Sequence, residues 1–149
     1  MNDSTNQTSL SERLRGFCVL NRIEILYVFG SRAGEISRYL KEGSGLAPEN
    51  TSDVDIAVRV ALGRRLSLKD KVEMTTALED LMGVDHVDLA FLHEADPFLA
   101  ANIIRGERLF CTDEYLADDY ELYILRRAAD LAPFERARMA QILNSSEAI

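Results

Sequence analysis

Along this chain the apolar residues switch between helical and strand-like spacing several times, and each switch marks an element. Leu10, Leu14, Phe17 and Cys18 recur at helical spacing to about Leu20, with Ser9 or Ser11 available as the cap. Ile23 to Phe29 (Ile-Glu-Ile-Leu-Tyr-Val-Phe) is rich in β-branched and aromatic residues and reads as a strand buried on both faces. After Gly30-Ser31 a helix should run to about Leu40, covering Ile36, Tyr39 and Leu40. Lys41 to Ser52 collects Gly, Pro, Asn and Ser and reads as the clearest loop. From Asp53 to Val60 the period falls to two: Val54, Ile56, Val58 and Val60 share the core face, and Asp53, Asp55 and Ala57 share the other.

The second half repeats the alternation. Ser67 caps a helix with Asp70 three residues later, and Met74, Ala77, Leu78 and Leu81 form its apolar stripe up to Gly83. Asp85 to Leu92 reads as a third strand, with Val87, Leu89 and Phe91 inward and His86, Asp88, Ala90 and Leu92 outward. Asp96 and Pro97 open a short helix to about Arg105, and Arg108 to Cys111 is a candidate edge strand. A last helix starts near Thr112 or Asp113 with Leu116, Tyr120, Tyr123 and Ile124 as its stripe. Pro133 should break or kink it before a segment ending at Leu143, and Asn144 to Ile149 should be loose. These elements imply an α/β fold: a small mixed β-sheet with helices packed on one face and the in-strand acids gathered on the other.

Length and charge narrow the possibilities. A chain of 149 residues suits one domain that buries roughly 70% of its unfolded surface. Cys18 and Cys111 are far apart and give no disulfide framework, which fits a reduced, cytoplasmic setting, with Cys18 a buried small hydrophobe. No apolar run is long enough for a membrane span, and residues 1–8 are polar and expected to be flexible. A net charge of -8 argues against direct nucleic-acid binding, whose footprint is a basic face. The same charge would repel a nucleotide unless cations are bound.

Two stretches carry the candidate chemistry. Val28-Phe29-Gly30-Ser31-Arg32 is a strand turning into a helix through Gly-Ser, which presents N–H groups and a hydroxyl to an anion. Ser52-Asp53-Val54-Asp55-Ile56-Ala57-Val58 aims two carboxylates to one side, a costly placement unless a cation or a basic side chain such as Arg64 or Arg65 answers them. Taken alone, the turn could be ordinary and the acid pair could lie at an exposed edge. His86 and His93 flank the third acid, Asp88, and read as hydrogen-bonded structural residues. Asp113, Glu114, Asp118, Asp119 and Glu121 read as a solvated, dipole-favoured helix start or as a surface for a basic partner. Arg126, Arg127, Arg136 and Arg138 are either further partner surface or solubilising charge.

A Gly-Ser turn, an Asp-x-Asp on the next strand and a further acid on a third, in that order, resemble the nucleotidyltransferase superfamily that includes DNA polymerase beta. The closer resemblance is to its minimal nucleotidyltransferase (MNT) branch, several members of which are antitoxins paired with HEPN toxins. The likeness spans about Ile23 to Phe110. It implies a single nucleotidyltransferase domain over 1–149, with 112–143 a C-terminal helical segment. It further implies nucleotide binding by Gly30, Ser31 and Arg32, and catalysis and Mg²⁺ binding by Asp53, Asp55 and Asp88, with Asp85 a weaker rival for the third place. The implied reaction is Mg²⁺-dependent transfer of AMP from ATP to a tyrosine of a HEPN-type ribonuclease. Alternatives are transfer to a small molecule or RNA end, or a non-catalytic antitoxin that occludes its partner. The sequence departs from the family's usual Gly-Ser-x-Ala-x-Gly in that Gly34 comes one place early, and 22 positions separate Ser31 from Asp53.

Overall fold

A computed structural model of the protein describes residues 9–42 and 53–147. Helix α1 (Leu10–Leu20) starts where Ser9 accepts a hydrogen bond from the Glu12 N–H, and strand β1 spans Ile23–Phe29. Helix α2 (Ala33–Glu42) takes in Lys41 and Glu42, which had been expected to open a loop; the remainder of that loop, 43–52, lies outside the described residues. Strand β2 (Val54–Val60) leads to α3 (Leu68–Met82), where Ser67 and Asp70 form a reciprocal capping box and Gly83 closes the helix in the left-handed conformation. Strand β3 (Val87–Phe91), α4 (Pro97–Ile104), β4 (Glu107–Cys111) and α5 (Glu114–Glu147) complete the chain.

The strands form one mixed sheet in the order β3-β2-β1-β4. β1 pairs antiparallel with β2 and with β4, while β2 and β3 run parallel, joined by the α3 crossover. An irregularity between Ile23 and Ile25 places these two residues on opposite faces, although a regular strand would put them together. The larger core lies on the side where α1, α2 and α3 cover Leu26, Val28, Ile56 and Val58. Cys18 is buried in this core, and burial pushes its thiol up to about 12; Cys111 is half-buried on β4.

The α/β fold and mixed sheet match expectation, and the three-helix face is the one foreseen. The opposite face is also partly covered. There α4 and α5 pack Ala100, Ala101, Ile103, Ala117 and Ile124 against Ile25, Tyr27 and Ala57. Helix α5 is tied down by a buried hydroxyl: Tyr27 Oη donates to Glu121 Oε1 at 2.6 Å, and Arg108 reaches Asp118 at 3.1 Å and Glu121 at 3.3 Å. The expected break at Pro133 does not occur, because α5 runs unbroken from Glu114 to Glu147 and makes Asn144 helical as well. Pro133 is exposed, so its ring and its missing donor meet water rather than packed neighbours.

Candidate active site

The site begins where β1 ends. Gly30 turns the chain with φ +77°, a conformation that an L side chain adopts only with strain. A Cβ at this position would also overlap the Asp55 carboxylate, with Asp55 Cγ 3.3 Å away. Two independent constraints therefore require glycine here, and the second shows that the turn and the acid are direct neighbours.

Strand register explains how Asp55 reaches that place. Phe29 and Asp55 are partners across the antiparallel β1–β2 ladder, and Asp55 and Asp88 are partners across the parallel β2–β3 ladder. Phe29, Asp55 and Asp88 thus form one row across the sheet, with Asp53 two residues before Asp55 on the same face. Asp53 and Asp88 are exposed, and Asp55 is half-buried. Burial raises the Asp55 carboxyl above the usual carboxylate range, and the like charges of Asp88 and then Asp53 push it the same way. Among the described residues, no ion pair links any of the three to a basic side chain. Arg64 and Arg65 do not answer them.

Three carboxylates on neighbouring strands, with no basic partner among the described residues, are a donor set suited to a hard divalent cation such as Mg²⁺. They do not close into a cage, since among the described residues no three His, Cys, Asp or Glu are grouped to hold an ion by themselves. Incomplete protein ligation is usual for Mg²⁺, which keeps several waters and takes further oxygens from substrate phosphates. Asp85 is exposed ahead of β3 and outside the row in which Asp88 stands. His86 and His93 are both exposed rather than enclosed, and His93 lies 3.6 Å from Glu94.

The turn after β1 combines accessible and enclosed groups. Ser31 is exposed at the turn, leaving its hydroxyl accessible beside the first turn of α2, where helix N–H groups favour an anion. Arg32 instead is buried, and Glu35 grips it at two points: Nε to Oε2 at 3.1 Å and Nη2 to Oε1 at 3.2 Å. Glu35 was not singled out in the sequence; its signal was the i,i+3 spacing to Arg32 at a helix start. Gly34 lies within α2, and a Cβ there would meet nothing within 4 Å, so its early position places no demand on the turn.

No curated protein sequence matches the chain significantly. A solved MntA–HepT toxin–antitoxin structure resembles it with a TM-score of 0.60 at 20% identity, covering 94% of this chain and 99% of that one. A toxin–antitoxin structure with AMP-PNP gives 0.60 at 21%, covering 91% and 98%. A tri-AMPylated Shewanella oneidensis HEPN toxin in complex with MNT antitoxin gives 0.59 at 20%, covering 92% and 96%. These likenesses are of fold. The family model described as "Polymerase beta, Nucleotidyltransferase" matches residues 12–115, a span that contains the whole sheet, the Gly30 turn and all three acids. The chain therefore belongs to the polymerase beta nucleotidyltransferase family.

Proposed function

We propose that this nucleotidyltransferase moves AMP from ATP to a tyrosine hydroxyl of a partner HEPN-type ribonuclease toxin, in a Mg²⁺-dependent reaction, and so acts as its antitoxin. The observation that carries the chemistry is Asp55 set against Gly30, with Asp53 and Asp88 beside it and no basic side chain paired with them among the described residues. In this reading Gly30 lets the backbone approach the triphosphate and Ser31 donates to its oxygens. Arg32, enclosed and paired with Glu35, supports the turn from behind. Asp53, Asp55 and Asp88 hold Mg²⁺, which when bound stabilises charge on the attacking and leaving oxygens. The tyrosine oxygen forms its bond to the α-phosphorus as the bond from that phosphorus to the β-phosphate's bridging oxygen breaks. Pyrophosphate leaves with the electron pair, and Asp88 accepts the hydroxyl proton.

The choice of acceptor is supported by similarity to complexes described as MNT antitoxin with an AMPylated HEPN toxin. The test is incubation with labelled ATP, Mg²⁺ and the protein encoded by the adjacent reading frame. Label on that protein from the wild type, absent with Asp53→Asn/Asp55→Asn although the complex still forms, is the expected result. A wild type that leaves the partner unlabelled defeats the acceptor, and a double variant that still labels it defeats the acids.

A further inference from the structure

Helix α5 is longer than the body it packs on. Its 34 residues span about 51 Å, and among the described residues its buried positions lie in the first half. The buried side carries Ala117, Ile124 and Ala128. Leu131 follows Ile124 by seven residues and Ile142 follows Leu131 by eleven, two and three whole turns, so the same side continues outward. Exposure changes sharply along it, from 4% at Ile124 to 73% at Phe134 and 52% at Ile142, with Met139 and Leu143 also exposed. An apolar stripe, interrupted by the Glu135–Arg138 pair, thus runs past the body with its outer side chains exposed.

From this geometry we infer that the outer half of α5, centred on Leu131, Phe134, Met139 and Ile142, docks a helix of a second protein that is apolar along one side and acidic along its margins. Charge selects that occupant. Residues 126–143 carry Arg126, Arg127, Arg136 and Arg138 against Asp130 and Glu135, a local excess of two positive charges on a chain of net charge -8. A second copy would bring these arginines and two -8 chains together, whereas an acidic margin meets the arginines favourably. A lipid surface suits the stripe less well, because the polar margin of a docked helix can give the Glu135–Arg138 pair, 2.6 Å apart, further hydrogen bonds, whereas acyl chains give it none. Of the acids at the start of α5, three are already engaged: Asp113 caps the helix, and Asp118 and Glu121 pair with Arg108.

The inference rests on the reading of this chain as one of a protein pair, and its test is separable from that reading. The full chain is titrated with two synthetic helices that share a leucine stripe, one with glutamate margins and one with lysine margins. The glutamate helix should bind at least about tenfold more tightly than the lysine helix, a preference that weakens with salt. Phe134→Ser/Ile142→Ser should abolish binding, and Arg136→Glu/Arg138→Glu should reverse the preference. All four side chains are exposed, so the variants should fold. Asp53→Asn/Asp55→Asn should bind the helix like the wild type even if the transfer chemistry proposed above is wrong. Equal or absent binding of the two helices overturns the inference. So does a dimer of the chain alone that Phe134→Ser/Ile142→Ser dissociates in sedimentation, or binding to phosphatidylglycerol vesicles through the same residues.

Discussion

Asp53, Asp55 and Asp88 on the sheet contrast with Asp113, Asp118 and Glu121, three of the five acids at the start of α5: among the described residues only the second set is answered. Asp113 accepts the Tyr115 N–H at 2.8 Å, and Arg108 and the Tyr27 hydroxyl take up Asp118 and Glu121. In the first set Asp55 is held against Gly30 with two like charges nearby and no basic partner. Acids that the fold neutralises hold elements together. Acids left to repel one another mark a place where something cationic is meant to bind.

The sharpest way to break this contrast is to remove the unanswered charges. Asp53→Asn/Asp55→Asn should lower nucleotidyl transfer about a thousandfold while leaving the fold intact, read as label on the partner beside an unchanged circular dichroism spectrum. Next in size is Gly30→Ala, which forces a side chain into a positive φ and onto Asp55. It should cost about 2–3 kcal/mol in chemical denaturation, and a loss below about 0.5 kcal/mol would mean that the turn relaxes freely. Tyr27→Phe probes the answered set. Deleting the buried hydroxyl that donates to Glu121 should destabilise by about 1–2 kcal/mol, with transfer per folded molecule unchanged.

The smallest effects are those of pH, and here the two kinds of acid should differ in sign. The Asp55 carboxyl is raised in the folded chain, so the stability it contributes is present below the ordinary carboxylate range and is lost as pH rises through the folded value. Asp55→Asn should therefore melt above the wild type at neutral pH, with the advantage shrinking as pH falls toward about 4. Asp70, lowered by the Ser67 backbone N–H and hydroxyl, is the opposite case. Its stabilising contribution is present at neutral pH and fades as pH falls through its folded value, so Asp70→Asn should melt below the wild type at neutral pH and converge on it in acid.

Much of this was legible in the sequence because it is local. Ser9, the Ser67–Asp70 box, Gly83 and the Asp96–Pro97 start each act within four residues; the β-branched and aromatic run marked β1, and the period-two run marked β2 to within a residue. The acid row was legible for the same reason, since period and order sufficed to put Asp55 and Asp88 on one face. What escaped depends on distant partners. Nothing near Tyr27 announces Glu121, 94 residues away, and that bond helps bring α5 onto the second face. Pro133 carries a local helix-breaking signal that lost because the surrounding helix is long and its site exposed. Arg32, expected as a nucleotide-binding cation, is buried and held by Glu35 three residues on, an enclosure that the sequence reading did not foresee.

The register of β2 and β3 has a consequence for how this protein tolerates changes in length. Asp55 and Asp88 are matched by main-chain hydrogen bonds, and the covalent path between them runs through a turn, α3 and a second connection. Insertions or deletions in those connections can be absorbed without disturbing the pair. Deleting Val87, the residue just before Asp88 in β3, would instead send Asp88 to the opposite side of the sheet in a strand that would otherwise still assemble.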